Sequence, residues 1–221
     1  TVSSPNVTPL VVTANAISTG GVRLRITQQI GATYQAGDSI PALLVEARNA
    51  LDVRDTLYSD SVFLAFAVNP TGATFVGTTR VRAVGGVARF DNFRVQRAGT
   101  GYRLQTSAAG LAPDTSTVFA ITARNASILA LASGGNQTAA PSTALPQPVV
   151  ARVTDAFANP IAGIPVGFAV AAGSVSAATV STDASGLASV TWTLGSAAGA
   201  QSMTVTSAGL TSTFNPSSAA R

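Results

Sequence analysis

The pentapeptide Gly86-Val87-Ala88-Arg89-Phe90 returns, offset by one hundred positions, as Gly186-Leu187-Ala188-Ser189-Val190. Two further matches keep nearly the same spacing. Thr106-Ser107-Ala108-Ala109-Gly110-Leu111 corresponds to Thr206-Ser207-Ala208-Gly209-Leu210, and Ser116-Thr117-Val118-Phe119 to Ser212-Thr213-Phe214. A repeat of that length is one small domain. In a chain of 221 residues it predicts two domains, each ending on the same three-strand cadence.

What lies between the matches sets the fold class. Helical periodicity is nearly absent. Apolar residues alternate with polar ones in short runs broken by Gly, Pro, Asn and Asp. These runs predict strands over 22–30, 40–49, 61–68, 74–83, 86–95, 101–109 and 115–122. In the second half they predict strands over 127–133, 147–155, 164–172, 174–181, 187–194, 200–207 and 211–215. Many short strands at such spacing make a sandwich or barrel. The expected fold is all-β, with two tandem antiparallel sandwiches over 21–123 and 124–221 after an extended N-terminal arm, 1–20. The join between Ile121 and Ile128 contains no Gly or Pro, so the two domains are expected end to end with limited freedom.

Chemistry is conspicuous by its absence. The chain has no Cys and no His. Thiolate nucleophiles, disulfides, zinc–thiolate sites and His-based triads are therefore excluded. A glycosidase needs two carboxylates across a cleft. The single Glu, Glu46, alternates outward between Val45 and Ala47. Asn49, Asp52, Asp55 and Asp60 crowd one loop as oxygen donors, but they lack the spacing of a calcium loop, and Arg48 and Arg54 lie among them. A solvated turn with local ion pairs is the simpler reading, and calcium stays open. The Asn-x-Ser/Thr triplets at Asn6, Asn125 and Asn136 are assigned no glycan. Trp192 shares parity with Ala188, Val190 and Leu194, which puts it in a core rather than in a sugar-stacking site; Tyr34 is the other aromatic weighed for that role. No catalytic, cofactor-binding or metal-binding residue is assigned, and no enzyme is expected.

Charge separates the halves. Residues 1–123 carry ten Arg and seven acids, whereas 124–221 carry Arg124, Arg152, Arg221, Asp155 and Asp183 alone. So neutral a surface is poorly protected against association. The Arg residues alternate with small and apolar residues and form no run, which argues against nucleic acid as a partner. No apolar stretch is long enough for a membrane-spanning helix. A start at Thr1 without Met or signal peptide leads to the expectation of a mature or excised segment. Residues 7–17 are uncharged and strand-prone. Val7, Leu10, Val11 and Val12 are the candidates for self-association, as a strand added to a neighbouring subunit.

Residues 125–215 resemble the bacterial Ig-like repeats of invasin- and intimin-type surface proteins. The resemblance rests on Gly135-Asn136-Gln137-Thr138, on Val149-Val150-Ala151-Arg152-Val153-Thr154-Asp155-Ala156-Phe157-Ala158-Asn159-Pro160-Ile161-Ala162-Gly163, on Thr182-Asp183-Ala184-Ser185-Gly186-Leu187-Ala188 and on Trp192-Thr193-Leu194-Gly195. Residues 22–122 are similar to a related repeat through Gly86-Val87-Ala88-Arg89-Phe90 and Gly99-Thr100-Gly101-Tyr102-Arg103-Leu104. Two departures concern turns. Asn49-Ala50-Leu51-Asp52 stands where the repeat has Asp-x-x-Gly-Asn, and Ala158 stands where it often has Gly. The resemblance implies tandem sandwiches on long extracellular bacterial proteins, acting as stalks, spacers or adhesive elements; the uncharged arm and neutral second half add the expectation of a self-assembling filament subunit, with an adhesive module that recognises a ligand through its loops as the alternative. The resemblance carries no catalytic residues.

The predicted cores contain Val45, Phe63, Phe90, Leu104, Phe119, Val153, Phe168, Val190, Trp192 and Val205. Phe90 and Phe93 have opposite parity, and a bend near Asp91-Asn92 would let both face inward.

Overall fold

The computed structural model describes residues 20–219, and among them there is no helix. The expected arm, with Val7, Leu10, Val11 and Val12, lies outside the described residues apart from Gly20.

In the first half, Arg23–Gln28, Leu43–Arg48 and Val87–Phe90 form one antiparallel layer. The facing layer runs Thr33–Gln35, Phe119–Thr122, Gly99–Ala108, Ser61–Val68, Arg80–Arg82. Leu111–Thr115 pairs with the distal part of Gly99–Ala108, and a single parallel bridge from Arg23 to Ala112 joins the layers along one edge. The second half repeats this plan. Ile128–Ser133, Val149–Thr154 and Leu187–Val190 make one layer; Gln137–Ala139, Leu210–Ala219, Ala200–Ser207, Pro165–Val170 and Thr179–Ser181 make the other. In both halves the opening strand switches layers, and its second piece runs parallel to the closing strand. This is an Ig-like arrangement of antiparallel strands.

Alternation explains the cores. Along Leu43–Arg48 every second residue is buried: Leu43, Val45 and Ala47. Along Gly99–Ala108 the inward set is Tyr102, Leu104 and Thr106. One buried cluster spans Leu24 to Ile121, and another spans Leu145 to Phe214 around Trp192. Trp192 is fully buried, and its Nε1 donates to the Ala172 carbonyl at 3.3 Å. The Tyr102 hydroxyl donates to the Arg97 carbonyl at 2.8 Å, the tie expected of a tyrosine at that corner.

Several expectations are corrected. Phe63 is not a core residue: it is 43% exposed, while Val62 and Leu64 on either side of it are buried. Parity forces the choice, and the Arg80 guanidinium lies 5.3 Å from the Phe63 ring centroid on the outer face. The other nine predicted core residues are buried. The predicted strand 74–83 is two pieces, Phe75–Val76 and Arg80–Arg82, parted at Gly77, whose φ is 116°. The predicted strand 86–95 is also two, Val87–Phe90 and Arg94–Val95. Asn92, at φ 57°, turns the chain between them, so Phe90 and Phe93 are both buried. Thr33–Gln35 and Gln137–Ala139 were not expected; each is three residues long, too short for a period-2 pattern.

Candidate functional site

A set of polar contacts between distant residues lies where the halves meet, and it grows from one turn. Val149–Thr154 ends at Asp155, which is fully buried. Its Oδ1 accepts the amides of Phe157 (2.8 Å) and Asn159 (2.9 Å), closing the turn on itself. Its Oδ2 accepts the amide of Arg124 and Nδ2 of Asn159, both at 2.9 Å. Burial pushes the Asp155 carboxyl up. The hydrogen bonds from the Asn159 side chain and from the amides of Arg124, Asn159 and Phe157 outweigh it and hold the group below the ordinary Asp value.

So held, the turn presents two side chains to the first half, and the linker adds a third. Asn159 is buried and doubly bonded across the junction: Nδ2 donates to the Gln96 carbonyl and Oδ1 accepts the Ala98 amide, both at 2.8 Å. Arg124 reaches back from the linker; its Nη1 donates to the Ala36 carbonyl at 3.3 Å and pairs with Asp38 Oδ1 at 2.9 Å. Phe157 packs against the first half's core cluster. Its ring covers Gly37, whose φ of 77° favours glycine and whose Cα hydrogens leave room that any Cβ would fill. A cleft of about 240 Å³, lined by Gly72, Ala73, Thr74, Gln96, Arg97 and Phe157, opens beside the ring.

These contacts join the halves on both sides of the linker. Two neutral hydrogen bonds fix one side, an ion pair and a carbonyl contact fix the other, and an aromatic wedge fills the middle. The side-chain contacts across the join are ones that linker composition does not reveal. Asp155, Phe157 and Asn159 stand in the motif that carries the resemblance. One signal was available for the rest: Phe157 is an aromatic inside a turn of small and polar residues, and Arg124 is one of the few charges in the neutral half.

The other residues singled out by sequence separate. Asp52 pairs with Arg23 at 2.8 Å and with Arg48 at 3.4 Å. Asp55 spends Oδ2 on the Gly21 amide and Oδ1 on the Leu57 amide. No group of three or more His, Cys, Asp or Glu that could hold a metal occurs among the described residues. Glu46 accepts from Arg48 Nη2 at 2.8 Å. The Tyr34 hydroxyl accepts the Gly31 amide at 2.5 Å, and its ring stands edge-on to Phe119.

No protein-family model matches the chain, and no curated protein matches it in sequence. Solved structures do. The D0–D1 domains of intimin are 14% identical over 89% of this chain and 99% of theirs, with a TM-score of 0.32. The Escherichia coli adhesin FdeC is 19% identical over 92% of this chain and 66% of its own, with a TM-score of 0.40. Domains 4 and 5 of the S-layer protein SbsC are 13% identical over 90% of this chain and 97% of theirs, with a TM-score of 0.38. A β-glycosidase from Bacteroides vulgatus is also among the similar structures, with 24% of its chain covered.

Proposed function

We propose that this chain is a non-enzymatic structural element of a bacterial cell surface: two Ig-like domains, 21–123 and 124–221, locked end to end as a stiff segment of a stalk or self-assembling filament. The observation that carries this reading is the clamp of Arg124, Asp155, Phe157 and Asn159 on Ala36, Asp38, Gln96 and Ala98. In this reading those side chains hold the two domains at one angle. A rigid joint is what a load-bearing or spacing element uses, because a flexible linker would let the ends wander. Extracellular exposure suits a chain free of oxidisable Cys, and the adhesins and S-layer protein that it is similar to are surface proteins by their printed names.

Assembly is head to tail in this reading, with residues about 5–17 adding as a strand to a neighbour through Val7, Leu10, Val11 or Val12. Uncharged, β-prone composition supports it, as does the neutral second domain. Electron microscopy and sedimentation of the full chain test it. Filaments or an end-to-end series of oligomers are expected, and removing residues 1–20 should return folded monomers. A full chain that stays monomeric at high concentration would leave only the stalk.

A further inference from the structure

The cleft beside Phe157 takes its walls from both halves: Gly72, Ala73, Thr74, Gln96 and Arg97 from the first, and Phe157 from the second. Its volume of about 240 Å³ equals the share of about eight waters in the liquid. That suits a single sugar ring with its substituents. Clefts of this kind, at the meeting of two domains, are common places for a ligand.

Each wall is tied in place before anything enters. Asn69 spans its loop: Nδ2 donates to the Ala73 carbonyl and Oδ1 accepts the Ala73 amide, both at 2.8 Å. The Tyr102 hydroxyl donates to the Arg97 carbonyl at 2.8 Å and accepts from Thr71 Oγ1. Arg97 Nη1 donates to the Thr71 carbonyl at 2.7 Å, so its guanidinium is anchored to the same loop. Asn159 holds the backbone of Gln96 and Ala98 from the other side. Groups fixed in advance lose less freedom when they take up a ligand.

The walls present a cation without a counter-ion. A guanidinium has five N–H donors, and Arg97 spends one on Thr71. Among the described residues Arg97 makes no ion pair, and neither do Arg94 and Arg103. Val68 is the register partner of Arg103 and Val76 that of Arg94, so these two cations stand beside the strands that enter and leave the 69–74 loop. No acid lines the cleft. The acids closest in sequence or at the junction are occupied: Asp91 pairs with Arg89, Asp38 with Arg124, and both Asp155 oxygens accept hydrogen bonds. Thr74 and Gln96 are exposed on the wall, and the junction uses Gln96 through its carbonyl, not its side chain.

We infer that this cleft binds an acidic sugar, one pyranose ring of a carboxylate-bearing polysaccharide. Arg97 takes the carboxylate, Phe157 takes the C–H face of the ring, and Thr74 and Gln96 take its hydroxyls. The planar fork of Arg matches a carboxylate with two parallel N–H···O bonds. A neutral sugar would leave the guanidinium unanswered, and a small carboxylate without a ring would leave Phe157, Thr74 and Gln96 unused. Arg94 and Arg103 add attraction for the neighbouring charges of a polymer. Because the lining comes from both halves, a bound sugar also stabilises their junction. The site stands or falls independently of self-assembly.

Calorimetric titration of the full chain with trigalacturonate tests it. Binding is expected, and it should weaken as salt rises. The methyl ester of the same trisaccharide keeps the rings and loses the charge; it should bind at least about tenfold more weakly. Arg97→Gln removes the fork. Gln96→Glu sets a like charge in the cleft while leaving the backbone bonds to Asn159 intact. Each should weaken binding at least about tenfold. Arg82→Gln, at the far end of the sheet from the 69–74 loop, should leave binding unchanged. Circular dichroism checks the fold of each variant. No binding of trigalacturonate, equal binding of its methyl ester, or a loss with Arg82→Gln as large as with Arg97→Gln would overturn the inference. So would tighter binding of inorganic phosphate or of a single-stranded oligonucleotide, a result that would assign the cleft to a phosphate instead.

Discussion

The turns at 49–53 and 155–159 have the same backbone and different side chains. Both hang on an Asx oxygen that accepts two amides, and both pass through a left-handed residue that is not glycine. In the second, Asp155 adds two donors on its other oxygen, and Phe157, Asn159 and Arg124 convert the turn into a clamp. In the first, Leu51 and Val53 stand in the open. The difference teaches that the fold fixes the shape of each domain end, while three or four side chains decide whether that end is an internal joint or a surface for something else.

Removing the carboxylate should break the comparison most severely. Asp155→Ala leaves four donors without their acceptor. At about 1–3 kcal/mol for each buried group left unpaired, the loss should exceed about 3 kcal/mol. Calorimetry is expected to show the second half melting well before the first. A single unchanged transition would mean that the turn holds without its Asp. Next in size is the wedge. Phe157→Ala should cost roughly 1–3 kcal/mol, because the ring is half-buried, and should broaden the distribution of shapes seen by small-angle scattering. Leu51→Ala, at the equivalent but exposed position, should stay within about 0.5 kcal/mol. Equal costs would erase the distinction between the turns.

Acid offers a reversible version of the same test. The folded Asp155 carboxyl titrates below its ordinary value, so its stabilisation is present above the unfolded carboxyl's pKa of about 3.9 and is lost as pH falls through the folded value. The junction should be unaffected from pH 7 to 5 and loosen below about 4. Asp155→Asn should remove that dependence, since its amide would face two donors at every pH. The smallest effect concerns the left-handed residues. Ala158→Gly should stabilise by up to about 1 kcal/mol by relieving φ 63°. Asp52→Gly gains the same relief but gives up the ion pairs with Arg23 and Arg48, so its net gain in chemical denaturation should be less.

Much of the fold was legible because the alternation that marks a strand also decides which face is buried. Val45, Phe90, Leu104 and Trp192 obeyed parity, and Phe63 has the parity of the outer face, opposite to that of buried Val62 and Leu64. The breaks at Gly77 and Asn92 are single-residue events that a period-2 pattern passes over, although the bend at 91–92 was required by the clash of parity between Phe90 and Phe93. The turns were read as departures from a repeat at Asn49-Ala50-Leu51-Asp52 and Ala158; the structure keeps the turn in both, because the Asx side chain supplies the bonds and the non-glycine residue accepts the strain. The clamp was not legible. Asp38, Gln96 and Ala98 sit far from Arg124 and Asn159 in sequence, and two of the contacts use backbone groups that no residue identity announces.

Rigidity of the joint is the central claim, and a distance distribution tests it most directly. Spin labels on Ala65→Cys and Thr204→Cys, both exposed and one in each half, would report the relation between the halves by pulsed electron resonance. The account predicts one narrow distance in the otherwise unaltered chain and a broad distribution once Arg124→Ala and Asn159→Ala remove the clamp. A distribution already broad before those changes, or one left narrow after them, would contradict it.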